Sequence, residues 1–284
     1  EIFKEINIDG LVEKKGIIYV YTNKNLKSRK IEIKVRDDLG VKQKHLSQNQ
    51  VLDLEPNLNP VFDAGVIYES AMHATDPHGI LKQIFKLFLK KGGKFIQTNV
   101  ENLEQININE TIIRSDREEY KFEKTVVASG AFSKKLTDKL GENIPLDTER
   151  GYHCMLASNY GLSRPVASAE RHFIMTPMSQ GLRIAGTVEF AGTKRKMNNK
   201  RALALLPNAK ALLNRSAFSL HANSTWMGCR PSLPDSLPVI GSAPNHDNLY
   251  FAFGHQHLGH TKMLYQNYKL LLLTKGLSRH VFLF

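Results

Sequence analysis

Cysteine is nearly missing from this chain: its 284 residues carry two, Cys154 and Cys229, and tryptophan occurs once. Two thiols this far apart show no metal-ligand spacing and cannot build a disulfide framework. A reducing compartment and two half-buried thiols are therefore expected. Long apolar runs are missing too. The longest candidate, Leu270 to Leu273, falls far short of the ~20 residues that span a bilayer. No secretory leader opens the chain, and EIFKEINIDG has no initiator Met, which suggests a start inside a longer sequence. No repeat recurs at solenoid or propeller periods. Glycine-rich phosphate loops are absent as well. No G-x-G-x-x-G occurs, and Gly92-Gly93 reads as a helix end.

What remains is an ordinary globular balance, 42% hydrophobic and 23% charged, which argues against general disorder. The length suits one large domain or two interleaved ones. The formal net charge is +12. Its lysines are scattered, as at Lys24, Lys27, Lys30, Lys34, Lys42 and Lys44, with no motif for reading a groove or stacking bases, so no nucleic-acid partner is expected. A basic interaction protein for acidic partners is an alternative that rests on charge alone.

Local patterns predict the elements. Gly16 to Tyr21 is β-rich, and Thr22 to Asn25 reads as a turn. Lys30 to Val35 alternates like a strand but also suits a helix. Leu46 to Pro60 reads as a short helix or turn, and Ala64 to Tyr68 as a strand. Asp76 is a good N-cap with Pro77 at the first helical position. Ile80, Leu81, Ile84, Leu87 and Phe88 then share one face up to Lys90 and Lys91. Strands are predicted at Lys94 to Thr98, Ile112-Ile113, Tyr120 to Phe122 and Lys124 to Ser129, followed by a helix from Ala131 to Leu140. Residues 145–192 read as mostly β. Lys200 to Phe218 reads as a helix interrupted by Pro207. The whole is a mixed α/β chain.

The most distinctive stretch is Trp226-Met227-Gly228-Cys229-Arg230-Pro231-Ser232-Leu233-Pro234-Asp235-Ser236-Leu237-Pro238-Val239-Ile240-Gly241. Asn248-Leu249-Tyr250 and Gly254-His255-Gln256-His257-Leu258-Gly259-His260-Thr261 follow. Pro231 restricts the backbone of Arg230 and so helps fix its direction. A guanidinium pairs with a carboxylate through two parallel hydrogen bonds. From local sequence alone, Arg230 is equally an ion-pair partner for Asp235. The glycines of the second stretch let backbone approach a flat ligand closely. Its histidines fit a metal as readily as a loop, but no carboxylate or cysteine completes a metal set nearby.

These stretches resemble the C-terminal signature of the D-amino-acid oxidase superfamily, in particular its D-amino-acid dehydrogenases and glycine oxidase. The family pattern is G-x-R-P-x-x-P-D-x-x-P-x-I-G, then N-L-Y, then G-H-x-H-L-G-x-T. Gln256 and His260 depart from the residues commonest there. Thr125 to Ser133 resembles the family's V-V-x-A-x-G-A-W-S turn, Gly186 to Gly192 the G-T-x-E-F-A-G of its dehydrogenase branch, and Arg150-Gly151-Tyr152 the strand entering its substrate domain.

The resemblance implies an FAD/NAD(P)-binding-type domain interleaved with an antiparallel-sheet substrate domain. The divisions would be 1–70 and 148–224 for substrate, 71–147 and 225–284 for FAD. It implies FAD as cofactor and oxidative deamination of a D-amino acid or related amine by hydride transfer, with the electron acceptor unassigned. Arg230 would bind the substrate carboxylate, with Tyr152 in the pocket and Phe173 a weaker guess. Val100, Ser129, Gly130, Gly254, His255, His257, Leu258, Gly259 and Thr261 would contact the flavin. No metal is implied. The location would be cytoplasmic, with peripheral attachment to the inner face of the cell membrane as an alternative. The family opens with a G-x-G-x-x-G βαβ unit, and this sequence holds none. An N-terminally truncated form, with an inactive remnant as its extreme, is expected on that ground.

Overall fold

The computed structural model describes residues 5–214, 220–258 and 280–283. The chain forms two compact units. Unit 1 comprises residues 1–93, 151–188 and 197–227, and unit 2 comprises 94–150, 189–196 and 228–284.

In unit 1, β1 (Val12–Glu13) pairs antiparallel with β5 (His73–Ala74). The main sheet has β2 (Ile17–Tyr21), β3 (Lys44–Ser47), β4 (Ala64–Tyr68), β10 (Asp147–Leu156), β11 (Val166–Ser168), β12 (Phe173–Met178), β13 (Gly181–Phe190) and β14 (Ser224–Ser232), of which residues 147–150, 189–190 and 228–232 belong to unit 2. Their order is β14-β10-β13-β12-β11-β2-β4-β3. The pairing of β11 with β2 is parallel; its neighbours β11–β12, β12–β13, β2–β4 and β3–β4 are antiparallel. Alternate residues of these strands, such as Ile18, Val20, Met175, Leu182 and Ile184, pack into one large core. Each fully buried aliphatic there contributes about 1.5–3 kcal/mol of transfer free energy.

Short helices cover this core. Helix α3 (Gln48–Leu54) opens on a capping box between Ser47 and Gln50, and buries Val51. Helices α6 (Asn199–Leu203) and α7 (Leu206–Leu212) are separate because Pro207 sits in the first turn of the second, where its missing N–H costs nothing. Glu55, fully buried, accepts from the Ser163 backbone N–H and hydroxyl and from Arg164 Nε.

In unit 2, β9 (Lys124–Val127) and β16 (His246–Phe253) run parallel, with Leu249 opposite Thr125 and Phe251 opposite Val127. β15 (Val239–Ala243) flanks β16 antiparallel, and β17 (His280–Leu283) flanks β9 parallel, giving the order β15-β16-β9-β17. A three-stranded antiparallel sheet of β6 (Val100–Asn107), β7 (Glu110–Ser115) and β8 (Glu119–Phe122) stands beside the helix α5 (Ser133–Lys139) in chain order. Val127, Leu136, Leu249, Phe251 and Phe253 form its core. Glu142, almost fully buried, accepts from the Asn245 backbone and side-chain N–H groups and lies 2.9 Å from His246 Nδ1.

Two expectations are corrected. Thr22 to Asn25 does not form an isolated turn, because helix α1 (Asn23–Ser28) starts there, and Lys30 to Val35 takes the helical alternative in α2 (Lys30–Asp38). Lys94 to Thr98 is not a strand. Phe95 and Ile96 are more than half or half exposed, and no ladder partner lies beside them among the described residues. Apolar character does not hold a strand without a neighbouring one. The first segment of unit 1 runs to Gly93. Helix α4 (Pro77–Lys90) has the cap predicted, Asp76 Oδ1 accepting from Gly79 N–H. Its approach is stitched into unit 1: Thr75 Oγ1 donates to Gly10 O, and Ser179 N–H donates to Thr75 O.

Candidate functional site

The parallel strands β9 and β16 end side by side, and the chain leaves both at the same edge of the sheet. Past Val127 come Ala128, Ser129 and Gly130, then a single 3-10 turn over Gly130–Phe132 leading into α5. Past Phe253 come Gly254 and His255. Four of the predicted residues, Ser129, Gly130, Gly254 and His255, are thereby brought to one end of one sheet. Ligands of α/β sheets bind in the crevice outside the carboxyl ends of their strands.

Both turns depend on glycine. Gly254 has φ +87°, and a Cβ there would sit 2.3 Å from Leu233 Cδ1. Gly130 has φ +55°, and nothing lies within 4 Å of where its side chain would point. No side chain covers the backbone at Gly130 from that direction.

Arg230 lies in β14, half-buried, and forms no hydrogen bond or ion pair among the described residues. The alternative partner has turned elsewhere: the Asp235 carboxylate accepts from Leu237 N–H at 2.9 Å. A half-buried guanidinium without an anion is a ready carboxylate receptor. Immediately after it, the backbone is latched to the glycine loop. Gln256 N–H donates to Pro231 O at 3.0 Å, and Gln256 Nε2 donates to Leu233 O at 3.2 Å. Gln256 itself holds φ +52°. The two halves of the sequence signature thus become one object.

Val100 opens β6 and packs against the core of unit 2. His257 is exposed and Leu258 half-buried, in a turn closed by Leu258 N–H donating to His255 O. Gly259 and Thr261, with the helix expected near them, lie outside the described residues. Tyr152 is 1% exposed, and its hydroxyl accepts from Asn198 N–H at 3.4 Å. Phe173 is a member of the unit 1 core.

Sequence reasoning missed several groups. Gln256 drew notice only as a departure from the family pattern. Arg150, fully buried, reaches Glu189 at 3.5 Å and donates to Lys196 O, which joins two matched motifs. His153 stacks on Trp226, with ring centroids 5.0 Å apart and planes at 21°. Burial, aided by the positive charge of Arg183, pushes His153 down to about 4, so its ring is neutral at ordinary pH. No sequence signal marked this pair, which the strand pairing alone creates.

The chain matches the family model of DAO, described as FAD dependent oxidoreductase, over residues 1–264. It is 30% identical over 262 residues to a D-amino-acid oxidase of Bradyrhizobium diazoefficiens, which covers 91% of this chain and 62% of that protein. It is 26% identical over 268 residues to a D-amino acid dehydrogenase of Neisseria meningitidis, covering 91% and 63%. The chain therefore spans just under two thirds of the curated relatives it matches. Among solved structures, glycine oxidase from Geobacillus kaustophilus superposes with a TM-score of 0.85 at 19% identity, over 96% of this chain and 74% of that one. The L-alpha-glycerophosphate oxidase from Mycoplasma pneumoniae, solved with FAD bound, gives 0.81 at 20% identity, over 96% and 78%. These likenesses establish the mixed α/β fold.

Proposed function

The chain belongs to the DAO family of FAD-dependent oxidoreductases, and from that premise we propose that it serves the oxidative deamination of a D-amino acid or related amine. The observation that carries this reading is Arg230, without an ion-pair partner among the described residues, followed by Pro231, whose carbonyl is hydrogen-bonded to Gln256 of the glycine turn.

The residues fit one part of a flavin. The uncovered backbone at Gly130 and the turn at Gly254 suit a flat ring edge or its linker, with Ser129 and His255 beside them. Ser133 Oγ, fully buried at the start of α5, has no hydrogen-bond partner among the described residues and is a polar group to spare at this edge. When bound, the flavin supplies a hydride acceptor, so no side-chain base is needed to remove the Cα hydrogen as a proton. Arg230 grips the substrate carboxylate with two parallel hydrogen bonds and so fixes where the Cα–H points. The Gln256 latch holds that arginine's strand and the glycine turn at a set spacing. The resemblance to the dehydrogenase branch favours an electron acceptor other than oxygen.

Arg230→Lys tests the carboxylate role. It keeps the charge but loses the fork, and about a 10–100-fold weaker affinity for a carboxylate-bearing substrate or inhibitor is expected. An amine without a carboxylate keeps its affinity. Equal losses for both ligands would sink the assignment. A second reading is that this chain alone keeps the flavin-edge and substrate side without turnover. It is favoured by the lack of any glycine-rich strand-turn-helix for the phosphates in these 284 residues. Titration with FAD followed by absorbance distinguishes the two: tight, stoichiometric binding by the chain as given overturns the second reading.

A further inference from the structure

Strand β3 closes the main sheet at one edge. An open pocket of about 340 Å³ lies on the face of β3 that carries Leu46. Its floor is aliphatic: Leu46 and Ile67 are buried core residues, and Leu54 packs beside them from the end of α3. Lys44 stands two residues before Leu46 and opposite Ile67, so it occupies a core-facing place at the edge, yet it is exposed. Gly16 N–H donates to Ala71 O at 3.1 Å, which docks the turn bearing Lys14 and Lys15 against the chain leaving β4. Both lysines line the same pocket.

Arg164 faces this pocket with its direction fixed. Its Nε donates to Glu55 Oε1 at 2.9 Å and its Nη1 to Lys15 O at 3.0 Å. Glu55 is fully buried and also held by Ser163, so the guanidinium cannot swing away without stranding a buried charge. The Nη2 amine has no hydrogen-bond partner among the described residues, and the side chain keeps 18% of its surface exposed. Lys15 is paired with Glu13 at 2.7 Å. Lys14 and Lys44 form no ion pair among the described residues, and neither does Glu69, the carboxylate among the lining residues. Two unpaired lysines against one unpaired carboxylate leave a surplus of one positive charge.

We propose that this pocket binds a small monocarboxylate with an apolar body. The carboxylate takes the Arg164 Nη2 amine and the ammonium groups of Lys14 and Lys44, and the body rests on Leu46, Leu54 and Ile67. One carboxylate neutralises the surplus charge. Lysine on an edge strand is a common guard against unwanted pairing, but a guard needs neither a pinned guanidinium nor an aliphatic floor beside it. The pocket shares no residue with the candidate flavin site, and the proposal does not depend on the flavin reading.

Calorimetric titration of the full chain with phenylpropionate tests it. The parent for this test carries Arg230→Lys, so that carboxylate binding at the other site is already weakened. A dissociation constant on the order of a millimolar is expected. Phenylpropionamide, uncharged and of the same shape, should bind about tenfold more weakly, and phenylpropylamine should not bind. Lys14→Met/Lys44→Met keeps the aliphatic stems and removes both charges, and it should weaken phenylpropionate about tenfold. Its thermal unfolding stays unchanged, because both side chains are exposed. Lys24→Met/Lys27→Met on α1, an equal charge change elsewhere in unit 1, should bind like the parent. With isotope-labelled isoleucine methyls, the Ile67 resonance, assigned through Ile67→Val, should shift on titration. The proposal is overturned by absence of binding, by equal affinity for acid and amide, by Lys14→Met/Lys44→Met binding like the parent, by an equal loss in the α1 control, or by an Ile67 methyl that stays in place while the ligand binds.

Discussion

Each unit closes a loop onto a buried glutamate, but the two do so with different chemistry. In unit 1, Glu55 faces Arg164, a permanent cation, together with the Ser163 amide and hydroxyl. In unit 2, Glu142 is satisfied by the amides of Asn245, with the His246 ring as its third neighbour. Removing the carboxylate strands the Arg164 cation in unit 1, whereas in unit 2 it strands the amide dipoles of Asn245. The same residue type at equal burial should therefore matter more in unit 1.

Glu55→Gln is expected to cost about 3 kcal/mol, since it leaves Arg164 without its anion. Glu142→Gln should cost about 1–2 kcal/mol. Urea unfolding of both variants checks this, and equal losses would break the comparison. Gly254→Ala comes between them. It combines a left-handed backbone with a Cβ pressed on Leu233, and about 2 kcal/mol is expected. The sole tryptophan, Trp226, reports on unit 1. A Gly254→Ala transition seen by far-ultraviolet dichroism before it is seen by Trp226 fluorescence would show the loss to be local to unit 2.

The smallest effect is a pH dependence in unit 1. His153 is held neutral in the fold, with its pKa lowered from 6.5 to about 4. The unfolded chain binds a proton below about 6.5 that the folded chain refuses until about 4. Stability from this source is therefore complete above pH 6.5 and declines as pH falls between those values. His153→Gln should flatten that part of the melting-temperature profile. An unchanged slope would assign it to other groups.

What could be read from sequence was local. Asp76-Pro77 specified its own helix start, because an N-cap and a first-turn proline act within four residues. The glycine turns at 130 and 254 were legible for the same reason. What could not be read depended on distant partners. Phe95 and Ile96 look like a strand, yet a ladder is made by another segment. Arg230 and Asp235 are neighbours in sequence, but Ser236 at φ +61° and the turn onto Leu237 take the carboxylate elsewhere. Gln256 stood out only as an irregularity, and its use lies in two carbonyls more than twenty residues back. The large core of unit 1 left no motif at all, since strand alternation is shared by a great many sheets.

The sheet order β15-β16-β9-β17 also sets a timetable for synthesis. β9 is an inner strand, yet both of its neighbours are made long after it: Leu249 follows its partner Thr125 by 124 residues, and Val281 follows it by 156. At ordinary ribosome speeds β9 leaves the tunnel on the order of ten seconds before either neighbour exists. During that interval Thr125, Val126 and Val127, which end up buried, expose two open edges to whatever else is in the cell. The nascent chain, more than the finished protein, is thus where this fold is most in need of a chaperone.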